Sequence, residues 1–243
     1  MSDYFLIQLT RFLGSVSLIA MMVFIFVGSL NLVNLEVGEY TALLLNSFLS
    51  ICFFIQHSGM IRKSFERWSV QFIDKKYHGA LYTISSSIVL LLLIVFWQKS
   101  SYTIASAHDG LRWFLRAVYF MSVLGIFWGI RSLGSFDPFG LNRILGEING
   151  ATAKPSRLRV RGAYRLVRHP LYLFCILMIW SCPDITTDRL LFNFLWTAWI
   201  IVGTILEERD LVTLFGELAV ASASAGKSMT SSAADSYQST VFV

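Results

Sequence analysis

Charge is missing from long stretches of this chain, and that spacing limits its fold more than any motif does. Between Arg11 and Glu36 lie 24 uncharged residues, dominated by Leu, Val, Ile, Phe and Met. Between Glu39 and Arg62 lie 22, and between Lys76 and Lys99 another 22. About 20 mostly apolar residues suffice for a helix to cross a bilayer, so these runs predict three spanning helices. A fourth is expected roughly from Trp113 to Ile130, with Arg116 in its first turn and Arg131 at its end, both able to reach lipid headgroups. Gly125 and Gly129 form a small-xxx-small pair on it, suited to close helix packing. Composition agrees: 55% of the 243 residues are hydrophobic and only 14% charged, against roughly 25% charged in soluble domains.

Two shorter uncharged runs follow, His169 to Pro183 (15 residues) and Leu190 to Leu206 (17 residues), with a turn at Pro183-Asp184 and Thr186-Thr187-Asp188. They predict an antiparallel hairpin that does not fully cross the bilayer, or a re-entrant pair inside the protein. The fold class is therefore an all-α integral membrane protein: four transmembrane helices plus a C-terminal helical hairpin. Residues 61–73 add an interfacial amphipathic helix, with Ile61, Phe65, Trp68 and Phe72 at helical spacing among Arg62, Lys63, Glu66 and Arg67. It is expected to anchor at the membrane surface, or to act as a lid over a site at that level.

Basic residues sort the connections. Segment 34–39 has no Lys or Arg, 58–78 has five, 98–112 has two and 132–170 has seven. This alternation places both termini and both large basic loops in the cytoplasm, with a bacterial inner membrane as the expected location. The first residues lack a signal-peptide pattern, so the first helix is expected to stay in the protein. Residues 1–217 are expected to form one membrane domain. From Leu218 to Val243, Ala and Ser supply 13 of 26 residues without an apolar face, which predicts a disordered tail.

Several chemistries are unsupported. The chain has no GxGxxG, P-loop, HExxH or EF-hand pattern and no GxSxG elbow. The arginines of 157–168 lie between membrane helices without a stacking platform or reading motif, which favours anionic headgroups or a bound anionic group over nucleic acid. The three cysteines include no CxxC pair, and Cys175 and Cys182 share a helix face as packing residues. No metal site is expected.

The strongest local signal is Arg161-Gly162-Ala163-Tyr164-Arg165-Leu166-Val167-Arg168-His169-Pro170-Leu171-Tyr172. Pro170 suits the first turn of a helix. The free N–H groups and positive dipole end of that turn favour an anionic group. Arg168, His169 and Tyr172 would cluster there. Glu207-Glu208-Arg209-Asp210 ends the last apolar run on the same side of the membrane, so the two groups should be neighbours. Together they could hold a zwitterion, with its carboxylate on Arg168 and the helix N-terminus and its ammonium or hydroxyls on the glutamates. A direct Arg168–Glu salt bridge is the alternative. His57, at the cytoplasmic end of the second helix, is either a hydrogen-bonded helix terminus or a general base.

These residues carry a resemblance. RGAYRLVRHPLYL, then a membrane hairpin, then LEERDLVTLFGE resembles the isoprenylcysteine carboxyl methyltransferase-like superfamily, in which RHPxY and EE elements build the S-adenosylmethionine site. QHSGMIRKSFERW and SFDPFGL resemble its bacterial methanethiol S-methyltransferase and NnrU-like branch, over roughly residues 10 to 217. The resemblance implies a membrane methyltransferase whose cofactor residues are Tyr164, Arg168, His169, Pro170, Tyr172, Glu207 and Glu208. The substrate implied is methanethiol or another small thiol, with His57 or Arg161 favouring the thiolate. Isoprenylcysteine or a phospholipid amine are alternative acceptors. A non-enzymatic protein that keeps the fold is a further alternative, because Phe215-Gly216-Glu217 runs into Leu-Ala-Val-Ala-Ser-Ala where relatives usually carry Tyr-x-x-Tyr.

Overall fold

The charge gaps become helices. The computed structural model describes residues 3–133, 137–150, Tyr164, Val167 and 169–224, with side chains up to Arg209. In chain order its helices are α1 (Asp3–Val27), α2 (Glu39–Ile61), α3 (Lys63–Ser69), α4 (His78–Phe96, preceded by a 3₁₀ turn at Lys75–Tyr77), α5 (Asp109–Leu133), α6 (Asn142–Ile148), α7 (Pro170–Trp180) and α8 (Thr187–Ser224). Among the described residues, five helical stretches are long and apolar enough to cross a membrane: α1, α2, Lys75–Phe96, α5 and Thr187–Arg209 of α8. The chain is an all-α, multi-pass integral membrane protein.

The ends of these helices depart from the charge gaps for a physical reason. α1 extends back past Arg11, whose side chain is exposed and can reach the headgroups. α5 begins at Asp109, which places Arg116 two turns inside it. That guanidinium donates to the Phe26 carbonyl and lies 3.9 Å from the Phe26 ring centroid, so it serves the C-terminal end of α1 instead of the lipid.

The hairpin is asymmetric. α7 has 11 residues and is about 16 Å long, short of the roughly 30 Å hydrocarbon core. α8 is membrane-length, which corrects the expected short second arm. Asp188 and Arg189, which bounded the apolar run, are each 2% exposed and paired inside the protein, so the helix starts at Thr187. At the other end Glu207 and Glu208 find partners on α7 and the helix continues.

α1 packs along α4, α4 and α8 both pack along α2, and α7 packs along α5. Phe24, Trp97 and Phe192 meet edge-to-face at the centre, surrounded by Leu93, Ile94, Phe53 and Phe54. The α5 glycine pair is where α7 docks. A Cβ on Gly125 would fall 2.5–2.6 Å from Phe174 ring atoms, and one on Gly129 would fall 2.7 Å from a Leu171 methyl. We expect Gly125→Ala to lower the melting temperature in detergent by several degrees, at a cost of about 1–3 kcal/mol for overpacking. Gly129→Ala should cost less, because the Leu171 methyl can swing aside.

One face of the helix array is stapled by polar contacts. Asn46 exchanges two 2.8 Å hydrogen bonds with the Gln98 backbone. Asp188 accepts from Trp97 Nε1 at 3.0 Å, the Ser100 N–H at 3.0 Å and Thr186 Oγ1 at 2.6 Å. Ser100 also donates to Glu39, so α2 and α8 begin at the same face. There β1 (Thr103–Ser106) pairs antiparallel with β2 (Asp184–Thr186), an addition that the sequence reading did not anticipate, and Arg112 bonds Asp184 at 2.6 Å.

The opposite face carries α3 and α6. Trp68 and Phe72 are exposed next to Phe65, but the expected helix over 61–73 is shorter: Ile61 ends α2, α3 covers Lys63–Ser69 and Phe72 lies in the turn that follows. Arg143 bonds Glu66 at 2.9 Å and Lys75 lies 3.7 Å from it. Partial burial raises the Glu66 carboxyl, but Arg143 and Lys75 outweigh that and hold it below the usual range. Phe139 of the SFDPFGL segment would meet a Cβ on Gly14 of α1, and its carbonyl accepts from Thr83 of α4 at 2.9 Å. This segment therefore fastens the loop after α5 onto the helices.

Candidate functional site

His169 and Pro170 open α7. Pro170 occupies the first helical turn, His169 is the N-cap residue, and the His169 carbonyl accepts the Leu173 N–H at 3.1 Å. Three residues on, Tyr172 returns to the same face, and its ring stacks on His169 with centroids 5.6 Å apart and planes 15° apart.

The last membrane-level turn of α8 faces this pair. Tyr172 donates its hydroxyl proton to Glu207 Oε2 at 2.8 Å. His169 Nε2 lies 3.3 Å from Glu208 Oε1, and its Nδ1 lies 3.9 Å from Glu207 Oε2. The Glu207 side chain is 13% exposed and that of Glu208 50%. One carboxylate is thus sequestered and the other opens to solvent, as adjacent helical positions about 100° apart allow. A carboxylate this far inside needs a partner, and Tyr172 supplies it. Tyr164 is half-buried and near Tyr172.

The structure therefore brings together His169, Pro170, Tyr172, Glu207 and Glu208, with Tyr164 beside them. Arg161 and Arg168 lie outside the described residues. His57 stands apart from this cluster. Its ring stacks on Phe53 at 5.1 Å, and the Tyr82 hydroxyl of α4 lies 3.0 and 3.1 Å from its two ring nitrogens. Phe53 stacks on Trp196 at 5.2 Å, and Trp196 on Phe192 at 4.9 Å. An aromatic column thus runs from His57 towards the core.

Phe53, Tyr82 and Trp196 were not singled out by the sequence reading. The available signal was the His57-minus-four position of Phe53 on α2, together with the spacing Trp196, Gly203, Glu207 on the last helix. Among the described residues, no group of three or more His, Cys, Asp and Glu side chains is placed to hold a metal ion.

The chain is 36% identical over 177 residues to Methanethiol S-methyltransferase 1 of Bradyrhizobium diazoefficiens, covering 72% of this chain and 62% of that relative. It is 36% identical over 182 residues to the Methanethiol S-methyltransferase of a Pseudomonas species, covering 73% and 68%. It is 34% identical over 187 residues to Methanethiol S-methyltransferase 2 of B. diazoefficiens, covering 75% and 72%.

The chain belongs to the methanethiol S-methyltransferase family.

It spans less than two thirds of the first relative's length and about 70% of the other two. No family model matches the chain, and no solved structure matches it. In this member of the methanethiol S-methyltransferase family, HPLY opens α7, EERDL closes the membrane-length part of α8, and the two are in hydrogen-bond contact.

Proposed function

We propose that this chain methylates a small thiol, methanethiol, to dimethyl sulfide, with S-adenosylmethionine as methyl donor. The observation that carries this reading is the meeting of His169 and Tyr172 with Glu207 and Glu208 at one membrane face, in a chain of this family. The donor set fits a zwitterionic nucleoside. A helix N-terminus and a histidine suit a carboxylate, and two carboxylates suit an ammonium and ribose hydroxyls.

S-adenosylmethionine, when bound, supplies a methyl group already activated by its sulfonium charge. His169, the free N–H groups of the first turn of α7 and Arg168 hold its carboxylate. Glu207 and Glu208 take its polar cationic and hydroxyl groups. Pro170 fixes the start of α7 so that these N–H groups stay aimed outward, and Tyr164 and Tyr172 wall the site. On the acceptor side, His57 receives the thiol proton at a ring nitrogen while Tyr82 orients the imidazole. Arg161 favours the resulting thiolate electrostatically. The bound donor would supply its methyl to the thiolate sulfur and keep the electron pair of the broken S–C bond, and His57 would pass the thiol proton to water.

Residues 1–217 are the catalytic membrane domain in this reading, with 218–243 as an appended tail. The protein sits in the bacterial inner membrane with both termini cytoplasmic, because Lys and Arg concentrate in segments 58–78 and 132–170 of the sequence. We expect a C-terminal reporter that is active only in the cytoplasm to give signal. Signal only from a periplasmic reporter contradicts the orientation. Calorimetry tests the reading itself: folded protein in detergent should bind S-adenosylhomocysteine, and no binding in several detergents overturns it.

A further inference from the structure

Gly203 sits in the C-terminal half of the membrane-length part of α8, inside a helix where glycine is less favourable than alanine and needs a reason. On a helix turning about 100° per residue, Gly203 lies within about 40° of both Trp196 and Glu207. Trp196 faces α2, through its contacts with Phe53 and Phe54, and Glu207 faces α7, through Tyr172. Gly203 is therefore on the inward face of α8. Yet among the described residues a Cβ built on it would meet nothing within 4 Å, as at Gly59 and Gly110, whereas one on Gly14, Gly79, Gly125 or Gly129 would collide. The inward face of α8 is packed at Trp196 and Ile200, occupied at Glu207 and open at Gly203.

The level of that opening follows from the helix directions. α2 and α8 begin at the same face, tied by the Glu39–Ser100–Asp188 contacts, and run the same way. Measured from the Phe53–Trp196 stack, His57 is about 6 Å further along α2, Gly203 about 10 Å along α8 and Glu207 about 16 Å. The open space thus lies between the His57 ring and the Glu207 carboxylate. Its core-side wall is the edge of the His57–Phe53–Trp196 column, whose ring faces cover one another, and a ring edge suits a polarizable sulfur.

We propose that the space in front of Gly203 is the acceptor pocket, and that the missing side chain at 203 sets the largest thiol admitted. This rests on the methyltransferase reading above and adds the location and size limit of the acceptor. The pocket is bounded by His57 and Trp196 on the membrane-core side and opens towards Glu207, so a thiol seated there presents its sulfur to the donor end of the site. A side chain at 203 shortens the pocket without touching His169, Tyr172 or the glutamates.

The test is a thiol series (methanethiol, ethanethiol, 1-propanethiol) run on wild type, Gly203→Ala and Gly203→Leu, with calorimetric titration of S-adenosylhomocysteine on each. One methylene in such a pocket discriminates by roughly 10- to 200-fold. Gly203→Ala should lower the ethanethiol-to-methanethiol ratio of kcat/KM by about tenfold, and Gly203→Leu should lower methanethiol kcat/KM by about a hundredfold. Nucleoside affinity should stay within about twofold in the alanine variant. If the leucine variant does not fold, the alanine ratio alone decides. An unchanged size profile in Gly203→Ala overturns the pocket and leaves the functional reading standing. Wild-type protein with neither nucleoside binding nor turnover overturns both.

Discussion

His57→Ala lowers turnover about a hundredfold and leaves S-adenosylhomocysteine affinity within about twofold of wild type, whereas His169→Ala weakens that affinity roughly ten- to a hundredfold. The difference follows from where the two rings sit. His169 is the N-cap residue of α7, against Glu208 at 3.3 Å and stacked on Tyr172. In the proposed reading its loss removes a charge-assisted contact to the nucleoside and loosens the wall that orients Glu207. His57 reaches the reaction from α2, stacked on Phe53 and bonded to Tyr82. In the proposed reading its loss removes the proton acceptor, not a nucleoside contact. Raising the pH should partly restore the His57 variant, because the thiolate fraction rises without assistance. Tyr82→Phe should show a weaker form of the same split: lower kcat, unchanged nucleoside affinity and a shifted pH profile. Equal loss of nucleoside affinity in the His57 and His169 variants contradicts the assignment of the two rings to opposite sides of the site.

Arg189→Met lowers stability by about 3 kcal/mol, which for a chain of this size is about 10 °C in melting temperature. Arg189 is 2% exposed and donates to the carbonyls of Ile25 at 2.6 Å, Phe24 at 3.2 Å and Ile179 at 3.4 Å. Those carbonyls lie in the last turns of α1 and α7, where helical partners run out. One guanidinium therefore closes two helix ends, and its charge complements both dipoles. Methionine fills the volume and leaves the carbonyls without that donor in a water-poor interior. Arg189→Lys should recover only part of the loss, because an ammonium cannot spread donors across two helix ends as the planar fork does. Thermal unfolding in detergent, read by circular dichroism, checks both variants. A melting temperature unchanged in Arg189→Met would show that the contacts at the two helix ends contribute nothing.

Arg189 also shows what the sequence could and could not convey. The apolar runs marked α1, α2, α4 and α5 because the bilayer core admits so few unpaired charges that charge spacing alone reveals the spans. The same logic misplaced the start of α8, since Asp188 and Arg189 look like loop charges until their partners on α1, α7 and the Trp97–Ser100 segment are known. Those partners are 88 or more residues away in the chain for Ser100, Trp97, Phe24 and Ile25. The cluster of His169, Tyr172, Glu207 and Glu208 was legible, because a hairpin obliges the start of one arm and the end of the other to share a face. The surroundings of His57 were not. They require α2 to lie against α8, and nothing in either segment names the other as neighbour. Gly125 and Gly129 announced a close packing surface but not that α7 would fill it.

Dimethyl sulfide in the headspace over purified protein, supplied with S-adenosylmethionine and methanethiol, is the most direct test of the central claim. The account predicts steady formation that disappears in a Glu207→Gln, His169→Ala double variant which remains folded. Folded wild-type protein that binds S-adenosylhomocysteine yet forms no dimethyl sulfide would contradict it.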